Sequence, residues 1–268
     1  VIPAFELLSF WVISNTYCMV YIFLLMIGMN LYTTDERENK ALLILLSMVI
    51  CWLTLSRAEM SVCMACIVCL ISFLPLTQRE MLTLSVPMMV VQLLYLIELN
   101  YQQAISVKNV YDSMLTPAIQ AIITVATVGC VIYSFFINSK FFSWIRKKIN
   151  IIVFAVLPGI CIAIYFLDKE KYVKSIESII YNFKTQYWGY LPALILILYI
   201  MIVLNKRINF WLIFSTGYVL INLILCLGRK HPLRNGYGDS CNRIMMSAIP
   251  VVFFALICSV LEIVALRI

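Results

Sequence analysis

Arg229, Lys230, Arg234 and Arg243 fall within one polar stretch, Gly228 to Arg243, whose sole acid is Asp239. Arginine grips a phosphate through a planar two-pronged guanidinium, and lysine meets it as a point charge. These residue types therefore suit an anionic ligand, with phosphate as the natural guest. Gly236 and Gly238 give the backbone freedom to wrap around it. Arg243 opens the last apolar block, where a helix N-terminus would add its own attraction for anions. His231, the chain's single histidine, lies in the same stretch; a lone histidine more often serves structure than catalysis. A second ionisable group is Ser56-Arg57-Ala58-Glu59, a short turn between apolar blocks. It puts a cation and a carboxylate at membrane level, where both are costly and need partners. Blander readings stand beside these. The first stretch can be a solvated loop touching lipid headgroups, and the second an Arg and Glu reaching out to the interface.

Other residue types carry less. The chain has 10 cysteines, nearly all inside apolar blocks. Cys63, Cys66 and Cys69 recur at three-residue steps, near one helix face, as a soft metal would need. Small polarizable residues packing between membrane helices account for the same pattern, and no histidine or acid adjoins them in sequence. Glu6 and Glu262 lie within apolar blocks, yet two scattered acids make a weak ion-relay signal.

The elements that must position these groups are membrane helices. Hydrophobic residues make up 63% of the chain and charged residues 12%, against roughly 45–50% and 25% in a soluble domain. Mean hydropathy is +0.99. Only a lipid environment accommodates so much apolar surface. The pattern predicts an all-α integral membrane protein of about nine to ten transmembrane helices in a single polytopic domain spanning residues 1–268. Spans are expected near 1–13, 16–33, 41–56, 60–76, 82–97, 117–137, 150–167, 187–204, 210–227 and 244–266. Ser14-Asn15 is then a turn between the first two. The first block is too short to cross alone, so the chain is expected to begin partway through a larger membrane domain. Residues 168–186 read as an interfacial amphipathic helix, with Tyr172, Ile176, Ile179, Ile180 and Phe183 at helical spacing.

Alternation places the loops at 34–40, 77–80, 138–150 and 205–209 on one side. Lys and Arg divide evenly between the two sides, but the tight runs Arg146-Lys147-Lys148 and Lys206-Arg207 make that side cytoplasmic. The stretch around Arg243 and the Arg57 turn then face outward. A multi-pass protein of the cell membrane is expected, with the bilayer as its medium and no nucleic-acid partner.

The stretch Gly236-Tyr237-Gly238-Asp239-Ser240-Cys241-Asn242-Arg243-Ile244-Met245-Met246 resembles the G-x-G-D-S-x-N-R-M segment of bacterial GT-C glycosyltransferases, the polytopic relatives of protein O-mannosyltransferases. Ser56-Arg57-Ala58-Glu59 is similar to their T-R-P-E turn, and Ser14-Asn15 to their short L-S-E turn. The resemblance implies a polyprenyl-phosphate-linked sugar donor, a glycan, lipid or protein acceptor, and transfer on the non-cytoplasmic face. It makes Arg243 the donor-phosphate ligand and lets Arg57 and Glu59 line the same cavity. Asn15, Asp239, Arg229, Lys230 and His231 complete the expected binding set. Asn15 stands where the family has an acid, and Ala58 replaces the proline. The family's catalytic aspartate lies in a loop upstream of the matching region, so no catalytic residue is assigned. A divalent cation is a possible cofactor. A transporter or flippase, a polymerase or ligase of lipid-linked glycans, and a non-catalytic membrane subunit are the alternatives.

Overall fold

Several apolar blocks become helices at a capping residue and stop at a polar cluster. The computed structural model describes residues 2–34, 39–56, 58–105, 117–185, 191–204, 209–228, 231–235 and 240–265. Almost all of these are helical, and no strand occurs among them. Five helices are long and apolar enough to cross a membrane, or six if one bent pair counts as a span.

Helix α1 (Ile2–Thr34) runs without a break through residues 14 and 15. This corrects the expected turn at Ser14-Asn15. Neither residue breaks a helix as glycine or proline would, and in an apolar medium a backbone that leaves its helix loses partners it cannot replace. The helix is about 50 Å long at 1.5 Å per residue.

Two compact units follow from the packing. One comprises residues 27–146. It holds the end of α1, then α2 (Lys40–Ser56), α3 (Ala58–Ile71), α4 (Gln78–Ile105), α5 (Pro117–Phe135) and α6 (Lys140–Lys147). Gly28 brings α1 against α2 so closely that an added Cβ would lie 2.5 Å from Leu46 Cδ2. Asn39 caps α2, its Oδ1 accepting from Leu42 N at 3.1 Å. Thr77 and Glu80 form a reciprocal cap on α4, with Glu80 N donating to Thr77 Oγ1 (3.3 Å) and Thr77 N to Glu80 Oε2 (2.5 Å). Pro87 inside α4 cannot donate to the Thr83 carbonyl, and Ser47 Oγ of α2 fills the gap at 2.8 Å.

Side-chain bonds fix the directions. Asn100 and Gln120 exchange amide bonds of 3.0 and 3.1 Å, and Gln78 Nε2 reaches the Phe135 carbonyl at 2.7 Å, so α4 and α5 are antiparallel. Cys130 Sγ meets the Ala65 carbonyl at 3.3 Å and Tyr133 Oη meets Ser72 Oγ at 2.9 Å, so α3 and α5 are parallel. The end of α1, the α3–α4 turn and the α5–α6 turn therefore share one end of this unit. Tyr32 Oη confirms it by donating to Glu80 Oε1 at 2.7 Å.

The other unit comprises residues 1–26 and 147–268. An apolar rod of α7 (Ile149–Ile151), a π-helical turn (152–156) and α8 (Leu157–Leu167) opens it. Pro158 has no N–H to offer the preceding turn, and the wider turn absorbs the interruption. After it come α9 (Lys169–Lys184), α10 (Leu191–Leu204), α11 (Phe210–Gly228), α12 (Ser240–Met246) and α13 (Ala248–Ala265). Helices α11 and α13 are antiparallel. Asn209, which caps α11 through Leu212 N (2.8 Å), also donates to Ser259 Oγ (3.1 Å) and Glu262 Oε2 (3.0 Å) near the end of α13. Glu262 thus serves a helix cap. At the other end Tyr218 Oη and Ser247 Oγ pair at 2.8 Å. Phe254 packs edge-on against Trp211, 4.9 Å between ring centres.

Candidate functional site

The expected amphipathic helix is α9, and residues 231–235 together with Asn242 of the segment resembling the glycosyltransferase motif bond to it. Asp168 caps α9 by accepting from Lys171 N at 3.0 Å. A bonded carboxylate, Glu170, lies 2.6 Å from Lys174 Nζ and holds that ammonium above its usual range.

The buried face of α9 is mixed: Ile179 of the expected apolar stripe is buried, beside polar side chains. Ser175, Ile179 and Asn182 are buried, whereas Ile180 and Phe183 of the expected apolar stripe lie outward. The polar side chains grip an extended stretch, residues 231–235. Ser178 Oγ donates to the Leu233 carbonyl at 2.8 Å, and Leu233 N donates to Ser175 Oγ at 3.1 Å. Both main-chain groups of one residue are thus held by one helix, and the Leu233 side chain is buried. One turn further along, Asn182 Nδ2 donates to Asn242 Oδ1 at 3.0 Å, and Asn242 Nδ2 donates to the Arg234 carbonyl at 2.8 Å. Both asparagines are fully buried. The stretch that carries His231 and Arg234 is therefore fixed at both Leu233 and Arg234, with both of those cationic-type side chains exposed.

Arg243 follows Asn242 on α12. As expected, it directly precedes the last apolar span, Ile244–Ala265, although a turn divides that span. Pro250 cannot donate to the Met246 carbonyl, and the chain turns at Ser247, so α12 and α13 are separate.

The other expected site residues divide in two. Arg57, Arg229, Lys230 and Asp239 lie outside the described residues. Asn15, Glu59 and Arg243 sit on described helices, but their side chains are outside the described set. Ser61 Oγ of α3 reaches the Thr54 carbonyl of α2 at 3.3 Å, which ties the two helices together.

Among the described residues, no three His, Cys, Asp or Glu side chains gather as a metal site would require. Cys69 turns from Cys63 and Cys66 to Cys130 on α5, Sγ to Sγ 3.1 Å. Reasoning from sequence missed Ser175, Ser178 and Asn182. Their spacing, three then four residues, was the available signal.

No family model matches the chain, and no curated protein or solved structure does either.

Proposed function

We propose that this protein is a membrane glycosyltransferase that moves a sugar from a polyprenyl-phosphate donor to a glycan, lipid or protein acceptor on the non-cytoplasmic face. The observation that carries the reading is the double anchoring of the Arg234–Arg243 region on α9. A phosphate site needs cations held in place before the ligand arrives. A helix outside the long apolar spans, gripping a cation-bearing stretch by its main chain, supplies such a hold. Arg243 takes the donor phosphate, His231, Arg229 and Lys230 extend the positive field, and the resemblance alone adds Arg57 and Glu59 to the donor-binding set. Among the described residues, five helices long and apolar enough to cross a membrane, or six with the bent pair, support a polytopic membrane protein, fewer than the nine to ten spans expected.

The test is transfer of a labelled sugar from polyprenyl phosphate in membranes carrying the protein. Arg243→Ala and Arg57→Ala are each expected to lower the rate by about 100-fold, with the amount of protein in the membrane unchanged. Wild-type rates in both variants sink the site assignment.

One observation favours a second reading, a transporter or flippase for the same lipid-linked substrate. Gln92 on α4 and Asn222 on α11 are fully buried, with neither amide atom partnered, and Ser85 Oγ on α4 is likewise unpaired. Polar groups left open within apolar helices are costly and line substrate paths in transporters. Movement of labelled lipid across the bilayer without a new glycosidic bond would select this reading.

A further inference from the structure

The expected loop at 138–150 contains a helix that composition alone did not announce. Helix α6 leaves α5 at a 106° bend. Helix α6 is thus nearly perpendicular to α5, the attitude an in-plane helix takes beside a crossing one. Its start is set by Ser139, whose Oγ accepts from Phe142 N at 3.3 Å. Two contacts hold it to the unit of residues 27–146. Phe142 packs edge-on against Tyr133, 4.6 Å between centres, and Arg146 Nη2 donates to the Leu74 carbonyl at 2.8 Å.

What remains faces outward. Phe141 is 63% exposed and Trp144 59%. Lys140 and Lys147 are exposed as well. Lys140 lies four residues before Trp144 and Lys147 three after, so the three side chains form one strip on the helix surface. Arg79, also exposed, stands next to Gln78, whose amide ties it to the α5–α6 turn at Phe135. No acid occurs in the sequence between Asp112 and Asp168. Glu80, which follows Arg79 in the chain, is engaged by Tyr32 and Thr77 N.

We propose that α6 is a docking surface for anionic phospholipid headgroups. Trp144 and Phe141 enter the headgroup–acyl boundary, as aromatic side chains at a membrane interface do. Lys140 and Lys147 then stand at the level of the phosphates. Charge complementarity selects the occupant. A zwitterionic headgroup offers its phosphate beside a cation of its own, whereas a phosphatidylglycerol offers an uncompensated one. This surface is independent of the Arg243 region and of the glycosyl-transfer reading.

The experiment uses the protein in phosphatidylcholine vesicles containing acyl-brominated lipid, either phosphatidylglycerol or phosphatidylcholine, at equal mole fraction. The Trp144 signal is the difference in fluorescence between the wild type and Trp144→Phe. That signal is expected to be quenched by both lipids, more strongly by the brominated phosphatidylglycerol. The apparent preference should fall roughly five-fold for each lysine removed in Lys140→Gln and Lys147→Gln, and should weaken with added salt. Both lysines are exposed, so these variants leave the Phe142 and Arg146 contacts in place. Equal quenching by the two lipids overturns the proposal. So does a preference that survives in the double lysine variant. Absence of quenching by either lipid also overturns it, because α6 would then face water or another protein.

Discussion

Asn182 and Asn242 show how a pair of neutral amides can set the position of a charge. Each is fully buried and each has its partner: Asn182 donates to Asn242, and Asn242 donates to the Arg234 carbonyl. Removing one end leaves the other buried without its bond, which costs more than the bond itself is worth. Asn182→Ala is therefore expected to lower stability by about 1–3 kcal/mol, read as a fall in the thermal midpoint in detergent. An unchanged midpoint would mean that the bridge holds nothing. Asn242 was legible within the motif that ends at Arg243. Asn182 was not, because helical periodicity separates polar from apolar faces but does not say which polar residues are covered. That depends on the stretch at Leu233, far away in sequence.

Helix ends were more legible than helix faces. Asn39, Thr77, Asp168 and Asn209 each begin a helix through a side-chain oxygen, and each stands at the polar edge of an apolar block, where capping residues are expected. Proline's effects depended on context. Pro87 lies within α4, where Ser47 supplies a bond to the exposed carbonyl, while Pro158 and Pro250 coincide with a π-helical turn and a helix break. Two elements departed from expectation. Residues 14 and 15 continue α1, and α6 forms in an expected loop. Both were hard to see for one reason. A short polar interruption can be a turn or a stretch of helix, and the neighbours decide. Gly28 is a case of close neighbours. A side chain there meets Leu46 at 2.5 Å, so Gly28→Val is expected to destabilise the α1–α2 contact by about 1–3 kcal/mol. The measurement is again thermal unfolding, and a neutral result would show that Leu46 moves aside freely.

At the scale of the whole molecule, orientation is the property on which function turns. Asn100 and Asn138 are exposed and mark opposite ends of the unit of residues 27–146. If the end with Lys140 and Arg146 faces the cytoplasm, Asn100→Cys reacts with a membrane-impermeant thiol reagent in intact cells, above the wild-type background. Asn138→Cys then reacts only after permeabilisation. The opposite pattern would turn the unit of residues 27–146 over.

The sequence by itself determined the class of molecule and much of its helix plan. Hydrophobic content, block length and capping residues are local properties, and in lipid a backbone has few choices besides the helix. It also brought Asn242 and Arg243 to notice through their motif. The tertiary structure alone decided that α9 turns polar side chains inward to hold Leu233 and Asn242, that Cys69 meets Cys130 instead of its own helix neighbours, and that α6 lies across α5 with Trp144 and its lysines outward. Each joins residues distant in sequence or depends on an angle between helices. Such facts arise from packing and from the need of buried polar groups for partners, which no run of neighbouring residues encodes.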